Sequence, residues 1–143
     1  DRVCWIRSPL DAEAMHAAAQ ALVGEHDFSS FRAAECQSTT PVRHVDSIRV
    51  TSEGPLVVIE VSANAYLHHM VRNIAGSLLM VGAGERPVGW IAETLAARDR
   101  TRAGVTAPPG GLYLWSVRYP KSLQVPEPVP GRPWAMIAGL SGE

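Results

Sequence analysis

The sequence is short of cysteine, of net charge and of long apolar runs, and each shortage excludes a class of protein. Cys4 and Cys36 stand alone without metal or redox spacing. That excludes a disulfide framework and fits reduced thiols in cytoplasm, although one bridge between the two stays compatible with the sequence. With a formal net charge of −1 the chain as a whole exerts no pull on a polyanion. Any nucleic-acid contact must then come from a local cluster. The longest apolar runs are broken by His, Arg, Asn or Glu well before bilayer-spanning length, and no basic-then-apolar leader opens the chain. The expectation is a soluble cytoplasmic protein with no membrane partner. Chemistry-bearing patterns are scarce too: no Ser/His/Asp arrangement, no phosphate-cradling glycine loop opening a helix, no metal cluster and no internal repeat. Asp27, Glu35, Asp46, Glu60, Glu85 and Glu93 are scattered singly and mark no acid/base pair.

What is present is enough for one core: 143 residues, 46% of them apolar and 19% charged. The opening Asp1-Arg2-Val3-Cys4-Trp5-Ile6-Arg7 reads as extended chain, so the sequence is expected to begin inside an element, as a piece of a longer protein. Ser8-Pro9-Leu10-Asp11-Ala12-Glu13 then combines a capping hydroxyl, a first-turn proline and first-turn acids, which predicts a helix running to about Val23. Its inward face is read as Leu10, Ala14, Ala17, Ala18, Ala21 and Leu22, and Gly24 stops it. Residues 25–42 show no period and read as a long loop held down by Phe28 and Phe31. Two β-branched stretches, 43–51 and 56–62, flank Ser52-Glu53-Gly54-Pro55 and predict a hairpin.

Leu67, Met70, Val71, Ile74, Leu78 and Val81 fall at helical spacing, which predicts a buried helix over 65–81 ending in Gly82-Ala83-Gly84. A shorter helix over 87–97 would turn Trp90, Ile91, Thr94 and Leu95 inward. A loop over 101–111 leads to a strand over 112–119, and from Pro120 onward five of the eleven prolines mark an extended tail over 121–143. Hairpin strands kept apart from the helices predict an α+β fold, an antiparallel sheet with helices packed on one face.

The densest polar cluster on a predicted helix is His68-His69-Met70-Val71-Arg72-Asn73. Adjacent histidines point about 100° apart around a helix and do not chelate one ion as an i, i+4 pair does, so no metal is expected. His68 and Arg72, four apart, share a face. They form either a solvent-facing stripe or a site where the planar fork of Arg72 meets a carboxylate or phosphate. Arg98, Arg100 and Arg102 alternate, so in extended chain they would form one basic strip suited to phosphates, with Asp99 offsetting part of its charge. Thr106-Ala107-Pro108-Pro109-Gly110-Gly111-Leu112 brings a rigid backbone up to a strand that opens on a leucine. Such geometry either feeds a core strand or lays a flat ligand on an aliphatic surface.

Taken together, several segments resemble the TruA-type tRNA pseudouridine synthases. They are His26-Asp27-Phe28-Ser29-Ser30-Phe31-Arg32, the run from Ala63-Asn64-Ala65-Tyr66 through Leu67-His68-His69-Met70-Val71-Arg72-Asn73-Ile74-Ala75-Gly76, and Val81-Gly82-Ala83-Gly84. The series continues through Asp99-Arg100, Ala103-Gly104, Thr106-Ala107-Pro108 and Gly111-Leu112-Tyr113-Leu114 to Val117 and Tyr119-Pro120. The resemblance covers nearly all of the chain to Pro120 and implies that 1–120 is the carboxyl-terminal domain, half of a pseudouridine synthase fold. It implies a homodimeric enzyme that isomerises uridine in the tRNA anticodon stem-loop without metal or organic cofactor. The base is flipped into a cleft between two similar halves. The family's catalytic aspartate, in a Gly-Arg-Thr-Asp-Ala-Gly motif, and its tyrosine belong to the amino-terminal half, and neither motif occurs here. No catalytic residue is therefore assigned, and the chain by itself is expected to be inactive.

By the same resemblance Arg72 matches the family's active-site basic residue, which pairs with that aspartate, and Leu112 matches the aliphatic residue that packs against the base. Arg98, Arg100, Arg102 and His68 become candidate RNA contacts. Pro109-Gly110 departs from the usual lead-in to Gly111. Two other readings stand beside this one: a non-catalytic RNA-binding or dimerisation module, and a small-molecule enzyme using His68 and His69 as acid and base.

Overall fold

The computed structural model describes residues 9–33, 40–67 and 69–107. The opening strand, both cysteines, His68, Leu112, the strand over 112–119 and the tail lie outside these residues. Helix α1 runs Ala12–Ala19 and tightens into a 3-10 turn over Gln20–Leu22. Its cap is Asp11, later than expected. The Asp11 carboxylate accepts from the Ala14 amide at 3.0 Å, while the Asp11 amide donates to Gly82 O at 2.9 Å. Asp11 itself is extended, φ −89° and ψ 94°, so coiling begins only after it. The buried face is Met15, Ala18, Ala19 and Leu22, whereas Ala17 is exposed, contrary to the alanine-based reading. Met15 packs over Gly82, where a β-carbon would collide with its side chain and press tightly on Leu10.

The sheet has three antiparallel strands in the order β1 (Gly24–Asp27), β2 (Val42–Glu53) and β3 (Leu56–Ala63). The hairpin forms where the sequence places it. The stretch read as a loop from residue 25 instead opens with β1, paired from Gly24↔Val45 to Asp27↔Val42. Gly-Glu-His-Asp carries no strand propensity, so this strand exists through its backbone pairing to β2 rather than through its side chains. A 3-10 turn over Ser29–Phe31 follows, and Phe28 and Phe31 are fully buried, as expected. β2 is irregular between Val45 and Ser47. Val45 and Ile48, three apart, would face opposite sides of a regular strand. The bulge at Asp46 shifts the phase so that Val45, Ile48 and Val50 all enter the core.

Helix α2 runs Met70–Gly82 and α3 Trp90–Ala97. The sequence predicts α2 to begin at residue 65, but the chain from Asn64 is drawn into the hairpin. Asn64 N donates to His44 O at 3.0 Å, its Oδ1 accepts from His44 N at 2.9 Å, and Tyr66 Oη donates to Val61 O at 3.0 Å. His69 then takes a left-handed conformation, φ 62°, and the helix starts after it. Leu67, Met70, Ile74, Leu78 and Val81 are buried as the period predicts, while Val71, also expected inward, is only half-buried; Ile91 and Leu95 of α3 join them. They pack with the inner face of β2, Met15, Leu22 and the two phenylalanines into one core under the helices. No helix among the described residues is long and apolar enough to cross a membrane.

β1 leaves β2 at Val45, and further along the strand α1 and the 3-10 turn after it supply side chains where a neighbouring backbone would bond. Gln20 Nε2 donates to Ile48 O at 2.9 Å, and Val50 N donates to His16 Nδ1 at 3.1 Å. Each bond satisfies a backbone group that burial beneath the helix would otherwise leave costly. His16→Leu keeps the bulk but removes the acceptor, and is expected to destabilise the fold by about 1–3 kcal/mol, read as a lower urea midpoint.

Candidate functional site

One face of α2 carries Arg72, Asn73, Gly76, Ser77 and Met80, spaced to lie along a single ridge. The segment 104–107 is laid across that ridge without an intervening side chain. A β-carbon on Gly76 would run into the Val105 carbonyl, and one on Gly104 would come within 2.9 Å of Met80 Sδ and 3.1 Å of Gly76 O. Glycine at both positions is what lets two backbones touch. Ser77 Oγ then accepts from Gly104 N at 2.9 Å, and Ala107 N donates to Arg72 O at 3.1 Å.

Arg72 closes this second contact into a reciprocal pair, since its Nε donates to Ala107 O at 2.8 Å. The guanidinium is thus fixed at its inner end. Among the described residues Nη1 and Nη2 have neither a hydrogen bond nor an ion pair. A fixed fork with two free amino groups is suited to a bidentate anion.

Asn73 sits beside it at 1% exposure and uses both ends of its amide. Nδ2 donates to Phe31 O at 2.8 Å, and Oδ1 accepts from Arg100 Nη2 at 3.1 Å and from Thr106 Oγ1. Arg100 also reaches Gly104 O through Nη1 at 2.9 Å and Thr106 Oγ1 through Nη2 at 3.0 Å. The backbone at Arg100 is itself anchored, because Asp99 N donates to Ser30 Oγ at 2.8 Å and the buried Ser30 hydroxyl donates to Thr94 O at 2.6 Å. Four stretches of chain meet at this cluster: the 3-10 turn over Ser29–Phe31, α2, the end of α3 and the segment 104–107.

The arginine strip expected over 98–102 is not formed. Arg98 ends α3 in a left-handed conformation, φ 51°, and Arg100–Arg102 make a 3-10 turn capped by Asp99, whose carboxylate accepts from Thr101 N and Oγ1 at 2.9 and 2.7 Å. In such a turn alternate residues do not share a side. Arg100 points inward, whereas Arg98 and Arg102 are exposed. Arg98 Nε lies 3.8 Å from Asp27 Oδ2 at the rim of a shallow depression lined by His26, Ala92, Leu95 and Ala96. Asp27 is held below the usual carboxylate range. Burial opposes its ionisation, but hydrogen bonds from Ser29 Oγ and N at 2.6 and 2.9 Å and the charges of Arg98 and Arg32 outweigh it. Asn73 and Thr106 lie within the polar cluster and the loop that the sequence marks, but neither they nor Ser77 carry a role legible from sequence. The available signal was an asparagine on the apolar face of a buried helix, since such an amide requires partners.

The sequence pattern of the tRNA pseudouridine synthases matches residues 18–120, which takes in every element of this cluster. The chain belongs to the tRNA pseudouridine synthase family. Proteins named tRNA pseudouridine synthase A from Salmonella paratyphi B and Salmonella newport are each 61% identical to it over 123 residues, 86% of this chain and 46% of theirs. The chain therefore spans about half the length of these curated relatives.

Two outcomes follow from this geometry. Gly76→Ala is expected to lose about 1–3 kcal/mol, because 104–107 must lift from α2, and amide exchange at Gly104 and Ala107 should accelerate with it. Because the folded Asp27 pKa lies below its ordinary value of 3.8, its contribution to stability is present above that pH and is lost as pH falls through the lower folded value. Asp27→Asn should cost about 1 kcal/mol near pH 7, and that cost should shrink progressively as pH falls below 3.8, which urea midpoints taken at pH 7 and at steps down through 3.8 will compare.

Proposed function

We propose that this chain forms one wall of a uridine-isomerising site acting on the anticodon stem-loop of tRNA. An amino-terminal half carrying the nucleophilic aspartate closes it. The reaction breaks the N1–C1′ bond, turns the uracil and forms a C5–C1′ bond; the C5 proton leaves and N1 ends protonated. This chain contributes no covalent chemistry. The Arg72 fork takes the incoming carboxylate and holds it ionised and oriented, while Leu112 packs against the flipped base. The observation that carries the reading is the state of Arg72: Nε locked to Ala107 O, Nη1 and Nη2 without partners among the described residues. Neither Arg72 nor Arg100 has a carboxylate within ion-pair distance among those residues. The local surplus of positive charge favours an arriving anion.

Arg98 and Arg102, exposed at the turn after α3, are the side chains we assign to phosphates, with His68 as a further contact. The full protein works as a cytoplasmic homodimer without metal or organic cofactor. The reading is tested in the full-length protein by tritium release from tRNA carrying 5-tritiated uridine. Arg72→Ala is expected to lower kcat roughly 10²- to 10³-fold, the scale for stripping one partner from a buried charge pair. His69→Ala should leave turnover intact, and the isolated chain should show none. Full turnover in Arg72→Ala, or measurable turnover by the isolated chain, overturns the reading.

A further inference from the structure

We propose that Arg100 is a positioning residue that sets the active-site arginine through the 104–107 segment and makes no contact with RNA. This rests on the reading of Arg72 given above and adds a second arginine to that site. Its donors already have work: Nη1 on Gly104 O, and Nη2 on both Asn73 Oδ1 and Thr106 Oγ1. All three acceptors are neutral and belong to the two surfaces that must stay in register, α2 through Asn73 and the crossing segment through Gly104 and Thr106. The crossing segment ends at Ala107, whose carbonyl holds Arg72 Nε and whose amide returns to Arg72 O. Arg72 and Asn73 are neighbours on α2, so any slip of 104–107 along the ridge moves the carbonyl that aims the Arg72 fork.

The residue type follows from the acceptors. Three oxygens, one a backbone carbonyl and two on side chains, call for a planar group with several fixed donors. An ammonium offers a compact charge without that fork. The absence of a carboxylate partner among the described residues matters equally. An ion pair would quench the charge, whereas three neutral dipoles hold the guanidinium in place and leave its positive potential next to Arg72. Asp99, the adjacent acid, is turned to Thr101 instead. The backbone that delivers Arg100 is fixed by the buried Ser30, so the guanidinium enters from a rigid base.

The test uses the full-length enzyme with Arg100→Gln, Arg100→Lys, Thr106→Val and the pair Arg100→Gln with Thr106→Val. Turnover and KM for tRNA, the salt dependence of tRNA binding, and amide exchange at Gly104 and Ala107 are measured under conditions where thermal unfolding shows each variant folded. Arg100→Gln should lower kcat about 10- to 100-fold with KM within about twofold, leave the salt slope unchanged, and speed exchange at both amides. Arg100→Lys should fall between wild type and Arg100→Gln. The double variant should be no slower than Arg100→Gln alone, because both changes cut one network. A raised KM with unchanged kcat and a salt slope smaller by about one would make Arg100 a phosphate contact and overturn the proposal. So would additive losses in the double variant, or normal exchange at Ala107 in Arg100→Gln. Exchange at Ala107 needs no catalysis: if Arg72→Ala proves active, the role of Arg72 fails while the Arg100 to Ala107 coupling is still read independently.

Discussion

The rest of this structure is arranged around one buried amide. Asn73 lies in the apolar face of α2 with almost no exposure, and a buried amide with an unmet donor or acceptor costs more than the average hydrogen bond returns. Its NH2 is met by Phe31 O, which requires the 3-10 turn after β1 to lie against α2. Its oxygen is met by Thr106 and Arg100, which requires the turn after α3 and the crossing segment to converge on the same spot. Satisfying one side chain therefore brings together three stretches far apart in the chain.

The two glycines at the crossing act on a different term. Hydrogen bonds between a helix and a segment lying across it need backbones closer than side chains normally permit. Gly76 and Gly104 remove the β-carbons that would hold them apart. The contact leaves little slack, and that stiffness transmits position. A carbonyl that cannot slide can aim an arginine, as Ala107 O aims Arg72. The same stiffness distinguishes Arg100 from Arg98 and Arg102. All three are arginines within a few residues, but a left-handed residue and a 3-10 turn send one inward and two outward.

Much of the fold was legible because it rests on local patterns. β-Branched runs around a Gly-Pro turn specify the hairpin, and the i, i+3, i+4 period of Leu67 to Val81 specifies the buried face of α2. The errors share a feature. β1 has no propensity of its own and is made by pairing with β2; α1 starts after Asp11, which is extended where its amide meets Gly82 O; α2 starts late because Asn64 continues the hairpin ladder. In each case a bond to a distant residue stands where the local preference fails. At the site, Arg72 stood out as a charge on a buried helix. Arg100 reads from sequence as one of three alternating arginines, but alternation puts residues on one side only in extended chain.

By itself the sequence determined the α+β class, the existence of the hairpin, the core positions of α2, and the resemblance to pseudouridine synthases that singled out Arg72. These depend on residue type and spacing within single elements. Only the tertiary structure decided which polar side chains look inward and what they hold: His16 on the flank of β2, Asn73 between three segments, Arg100 bridging α2 and 104–107. The physical reason is that a hydrogen bond is satisfied or wasted according to partners fixed by packing, and those partners lie up to 69 residues away in the chain, as for Ser30 and Asp99.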